Sequence, residues 1–302
     1  MTEHKKPMAE ANRISSMLNT VLGKERFPVK VDELAVEYSR QCFPDSPIDK
    51  VEGADLEDFD GLLKAKKDRS KWLILYNSAV SSEGRKRFTI AHEFGHYILH
   101  RHQQTEFACG DDDIESGDSR DIESEADLFA STLLMPLDDF RRQVDGQKIN
   151  FDLLGHCADR YGVSLTAAAL RWTEIAEKRA ILIASRDDHM LWAKSNLAAV
   201  KSGAYFPTRK NTIELPPEAL AHSNNAWLSN QEQTTRAQVW FYREPQSMPI
   251  TEMTRVAGQY DYTLTLLLMP DAEWQRPWHG DEESEEDTFD RFIRNGQFPS
   301  KK

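Results

Sequence analysis

His92 and Glu93, followed three residues later by His96, make an H-E-x-x-H pattern. Residues four apart share one face of an α-helix, so both imidazoles can reach a single metal ion. Glu93 directly follows the first imidazole and points beside the metal rather than at it. Its carboxylate is thereby left to take a proton from a water that the metal activates. Two ligands and a general base are the parts needed to hydrolyse a peptide bond. A hydrolytic zinc site takes three protein ligands and keeps one position open, so a third donor is required. The stretch Asp121-Ile122-Glu123-Ser124-Glu125-Ala126-Asp127 offers it. Glu123 is the expected ligand. Asp127 lies four residues on, on the same helix face, where it can accept a hydrogen bond from the outer nitrogen of a ligand histidine. Glu125 points elsewhere and reads as solvated. The plain alternatives are an amphipathic helix with two surface histidines, and carboxylates that merely suit a helix N-terminus.

Two helices must position these groups. In the first, residues 87–100, apolar Phe88, Ile90, Ala91, Phe94, Ile98 and Leu99 surround the histidines, so the helix is largely buried. Unpaired histidines would be costly there. Gly95, between the two imidazoles, permits a close neighbour. In the second, Ala126, Phe129, Ala130, Leu133 and Leu134 recur at helical spacing and Pro136 marks the end. Upstream, residues 9–22 read as a helix stopped by Gly23, and another helix starts near Asp32. Residues 59–77 read as a hairpin turning at Lys66-Lys67-Asp68-Arg69. Within it, residues 71–76 are the candidate strand for binding a substrate as an added strand.

The stretch "RFTIAHEFGHYILH" (87–100), followed by "IESEADLFASTLLMP" (122–136), resembles the ImmA/IrrE-type zinc metallopeptidases. The resemblance spans residues 10–180. Its pattern is Arg-x-Phe-Thr-x-Ala-His-Glu, then Glu-x-x-x-Asn/Asp before Leu-Met-Pro. By position, the resemblance implies Zn²⁺ held by His92, His96 and Glu123, with Glu93 as the catalytic glutamate. It implies an α+β fold, with a mainly helical zincin-like domain and a small β-sheet over residues 1–180. The implied substrate is a helix-turn-helix repressor encoded beside the protease, cut to relieve repression after DNA damage or another stress. Some relatives carry a C-terminal GAF-like sensor.

Between the metal helices, residues 111–125 hold eight acidic side chains, which read as a solvated loop or as a rim attracting a basic repressor. Cys109-Gly110-Asp111 opens that loop and is similar to the cysteine switch of matrix metalloprotease pro-segments. A thiolate is a strong zinc ligand, so Cys109 is a candidate inhibitory fourth ligand, the alternative being a free loop cysteine.

The chain has 302 residues, enough for two domains, and a formal net charge of −12. That charge argues against non-specific binding to duplex DNA and suits a basic protein partner. Cys42, Cys109 and Cys157 are too few and scattered for a disulfide framework, which points to a reducing cytoplasm. No signal-peptide core or membrane-length apolar run is visible. Residues 151–177 read as helix, glycine turn and helix, similar to a helix-turn-helix. The second helix is rich in alanine and poor in basic residues, so packing explains it better than base reading. Residues 181–272 read as a small α+β regulatory domain, consistent with the GAF-like expectation, with strands at 181–184, 190–193, 238–242 and 262–267. Residues 224–235 read as a polar connection. Trp227, Trp240, Tyr242, Tyr260 and Tyr262 could line a small-molecule pocket or stack on single-stranded DNA as an activator, although core packing is the commoner use. Residues 273–302 form an acidic tail. The competing reading is a non-proteolytic anti-repressor that sequesters its partner around a structural zinc. An intact Glu93 argues against it.

Overall fold

The computed structural model describes residues 6–56, 59–110, 117–208, 210–222, 230–257 and 261–272. The fold is mixed α and β, in two compact units. One unit comprises Met1–Lys148 with His156–Ser164. The other comprises Ile149–Gly155 with Leu165–Lys302. Among the described residues no helix is long and apolar enough to cross a membrane. The acidic tail beyond residue 272, together with Trp227 and Tyr260, lies outside the described residues.

The first unit opens with helices α1 (Pro7–Leu22) and α2 (Val31–Cys42). Strands β1 (Ile48–Ala54), β2 (Phe59–Ala65) and β3 (Trp72–Asn77) lead to the long helix α3 (Glu83–His100). Then come β4 (Glu106–Gly110), α4 (Gly117–Leu134) and α5 (Leu137–Val144), while α6 (Phe151–Tyr161) spans the boundary between the units. The sheet order is β1-β3-β2-β4. β1 runs parallel to β3, whereas β2 pairs antiparallel with β3 and with β4. The 59–77 hairpin is present, with Arg69 at its turn in a left-handed conformation. Residues 71–76, however, lie inside the sheet. Both edges of β3 carry partners, so an added strand has no free backbone to pair with there. Among the described residues, the edge strands of this sheet are β1 and β4.

α3 is the centre of this unit. Ser82 caps its N-terminus, its hydroxyl accepting a hydrogen bond from the Arg85 N–H. Residues 89–98 are all buried. Edge-to-face ring pairs tie α3 outward in three directions: Phe94 to Tyr38 of α2, Phe94 to Phe129 of α4, and Tyr97 to Trp72 of β3. Burying a phenylalanine side chain of this kind contributes roughly 1.5–3 kcal/mol. Gly95 faces α4 so closely that an added Cβ would stand 3.2 Å from the Cα of Ala126. This glycine lets the two metal-helix backbones approach, which compensates for its helix-weakening cost. The structure starts α4 at Gly117, so the second half of the acidic stretch forms the first turns of that helix rather than a loop.

In the second unit, α7 (Leu165–Ile175) precedes β5 (Arg179–Arg186), β6 (His189–Ser195), α8 (Leu197–Lys201), β7 (Asn230–Arg236), β8 (Pro249–Ala257) and β9 (Tyr262–Met269). The five strands form an antiparallel sheet of order β6-β5-β9-β8-β7. Ile181, Ile183, Leu267, Met269 and Ile250 on the strands pack with Trp240, Phe241 and Leu215. Two expectations fail here. Residues 237–239 are a 3₁₀ turn, not a strand, because Ala237, Trp240 and Phe241 are buried at helical rather than alternating spacing. The polar run expected to connect elements is in part β7, an edge strand paired with β8. α7 is covered: Ala168, Ala169, Leu170, Arg171 and Trp172 are all buried.

Candidate metal centre

His92, His96 and Glu123 converge. One ligand atom from each lies within 4.8 Å of the others. The His92 Nε2 and His96 Nε2 atoms are 2.9 Å apart. Glu123 reaches both, with Oε2 3.1 Å from His92 Nε2 and Oε1 3.2 Å from His96 Nε2. The histidines come from one face of α3, and the carboxylate arrives from α4 across the Gly95 contact.

Each histidine is fixed from behind. His92 Nδ1 lies 2.7 Å from Asp127 Oδ1 and donates to it, which in a neutral ring leaves the lone pair on Nε2, toward the convergence point. His96 Nδ1 lies 3.1 Å from His100 Nδ1, and His100 Nε2 lies 2.9 Å from Glu125 Oε2. Glu125 is thus bound to His100 rather than solvated. Phe107 of β4 stacks on the His96 ring, with centroids 4.7 Å apart. Phe107 escaped the sequence reading, as did the pairing of His100 with His96. For His100 a signal existed, since it continues the four-residue spacing of His92 and His96.

Electrostatics favour a cation here. Burial pulls His96 down to about 4, against the opposing pull of the Glu123 carboxylate, so the ring is neutral near pH 7. Burial pushes Glu123 up, but the adjoining His92 and His96 rings outweigh it and hold the carboxyl well below the usual range. Two imidazoles and an ionised carboxylate in a buried cluster are a donor set that fits a divalent cation.

Glu93 is completely buried one residue past His92. It faces β2 at Gly61, where an added Cβ would stand 2.6 Å from Glu93 Oε1 and 2.5 Å from Thr89 Cγ2. Cys109 lies in β4, its backbone paired opposite Gly61, so it is a strand residue and not a loop residue. Its side chain lies outside the described residues, as do residues 111–116.

Comparison with known proteins agrees with this geometry. No curated protein matches the chain. A solved structure described as a Mycobacterium tuberculosis transcriptional regulator shares the fold, with a TM-score of 0.53 at 17% identity, over 88% of this chain and 76% of that one. The model of the IrrE N-terminal-like domain, peptidase family M78, matches residues 50–173, a span that contains every residue of the converging cluster. Residues 50–173 thus match the IrrE N-terminal-like domain, which supports the resemblance to the ImmA/IrrE family.

Proposed function

We propose that this protein is a zinc-dependent endopeptidase that cuts a helix-turn-helix transcriptional repressor, under control of its second unit. The observation that carries the reading is the cluster of His92, His96 and Glu123 within 4.8 Å, with Glu93 buried directly beside it in a peptidase-family domain.

His92, His96 and Glu123 hold the metal, and Asp127 orients the His92 ring. Zn²⁺, when bound, polarises the scissile carbonyl and acidifies the attacking water. The protein's own part is proton management. Glu93 takes a proton as water oxygen bonds to the carbonyl carbon, then delivers it to the amine as the C–N bond breaks. One water is consumed, and two termini form. Strand β4, beside His96 through Phe107, is an edge strand among the described residues, and an extended substrate segment can add along its outer side.

A net charge of −12 suits a basic, DNA-binding substrate, through attraction that raises the encounter rate. The second unit, with its five-stranded sheet, serves as the sensor, single-stranded DNA or a small molecule being the signal and stress release the outcome. In the test, zinc-loaded protein is incubated with a helix-turn-helix repressor encoded beside its gene, with and without single-stranded DNA. Products are read by mass. Cleavage lost on chelation and with Glu93→Gln supports the reading; an uncut repressor in every arm rejects it.

A further inference from the structure

We propose that His100 and Glu125 are positioning residues for the metal ligand His96, acting as Asp127 acts for His92, with an imidazole inserted between carboxylate and ligand. The inference rests on the reading of His92, His96 and Glu123 as a metal site.

The direction of each hydrogen bond follows from chemistry. An ionised carboxylate only accepts, so at 2.9 Å His100 Nε2 donates to Glu125 Oε2. His100 has a side chain 1% exposed, where a charged ring would be costly, so the ring is neutral and its lone pair lies on Nδ1. That lone pair faces His96 Nδ1 at 3.1 Å, so His96 Nδ1 donates. The lone pair of His96 is thereby placed on Nε2, 3.2 Å from Glu123 Oε1 and 2.9 Å from His92 Nε2. Both ligands are held in the same tautomer, one by a carboxylate directly and one through His100. The two supports come from one helix, since Asp127 and Glu125 both lie on α4. Phe107 also stacks on the ring of His96, which is 0% exposed, and lies tilted beside His100, which leaves His96 little freedom to turn over.

The test is zinc affinity of the full chain, measured by competition with a chromophoric chelator, with thermal melting of the metal-free forms alongside. His100→Phe keeps the volume and removes the acceptor, and zinc affinity should fall 10–100-fold. His100→Asn presents an amide oxygen near the position of Nδ1 and should recover most of that loss. Glu125→Gln removes only the charge and should weaken zinc by less than His100→Phe. Nitrogen NMR of the metal-free protein should show His96 protonated on Nδ1 in the wild type, and that preference should vanish in His100→Phe. Wild-type affinity or an unchanged His96 tautomer in His100→Phe would overturn the proposal, as would His100→Asn binding no better than His100→Phe. Should His100→Phe fail to fold, Glu125→Gln, whose side chain is 24% exposed, carries the test, and unaltered affinity there would count against the relay. A wild-type chain that takes up no zinc would overturn the metal reading itself. That result is distinct from wild-type binding with indifferent variants, which removes only the role of His100 and Glu125.

Discussion

Gly61 of β2 packs against Glu93 of α3 so tightly that a methyl group there would stand 2.6 Å from the Glu93 carboxylate. Strand and helix together therefore set where the proposed base can lie. Gly61→Ala should push Glu93 aside without touching His92, His96 or Glu123. Cleavage should fall on the order of 100-fold, as for misplaced catalytic groups generally, while zinc stoichiometry stays unchanged. Full activity in this variant would show that Glu93 tolerates displacement, against its role as base.

Glu93→Gln keeps the shape of the side chain and removes its basicity. The expected result is metal content equal to wild type, by atomic absorption, with kcat reduced by about 10²–10⁴-fold. Retained turnover would assign the proton transfer to another group.

Asp127 accepts from His92 Nδ1 at 2.7 Å. Asp127→Ala should weaken zinc binding about 10–100-fold, read by chelator competition, because His92 loses the bond that fixes its tautomer. An unchanged affinity would mean that packing alone orients the ring.

The metal-free protein should lose stability in mild acid. His96 titrates near 4 in the fold, depressed first by burial, but near 6.5 when unfolded. As pH falls between those values, the unfolded chain takes up a proton that the folded chain refuses. Stability is therefore present above 6.5 and declines toward 4, by about 1 kcal/mol per pH unit for this group. Urea denaturation of the metal-free form at pH 7, 6 and 5 measures it. His96→Gln should flatten the profile; an equally steep profile would point to other groups.

What could be read from the sequence was what one helix encodes by itself. His92, Glu93 and His96 share a face by local periodicity, and so do Glu123 and Asp127, and the structure brings these faces together. Glu125 was misjudged because its partner His100 sits on another helix, 25 positions away, and only the α3–α4 crossing at Gly95 joins them. The same limit applies to Gly61, whose importance comes from a neighbour on another element. The mixed α and β architecture was legible from alternating and helical apolar patterns. β7 was not: Asn230–Arg236 is an edge strand whose faces from 231 to 236 alternate only between half-buried and exposed, leaving no apolar pattern to see. Trp240 and Phe241 looked like a strand because aromatic residues favour strands, yet they pack directly after a 3₁₀ turn.

The most direct measurement is intact-mass spectrometry of a helix-turn-helix repressor, encoded beside this protein's gene, after incubation with the zinc-loaded chain. The account predicts two discrete fragments whose masses sum to the repressor plus one water. They should be absent after metal removal and with Glu93→Gln. Fragments that persist in the Glu93→Gln variant, or a repressor left whole both with and without single-stranded DNA, would contradict it.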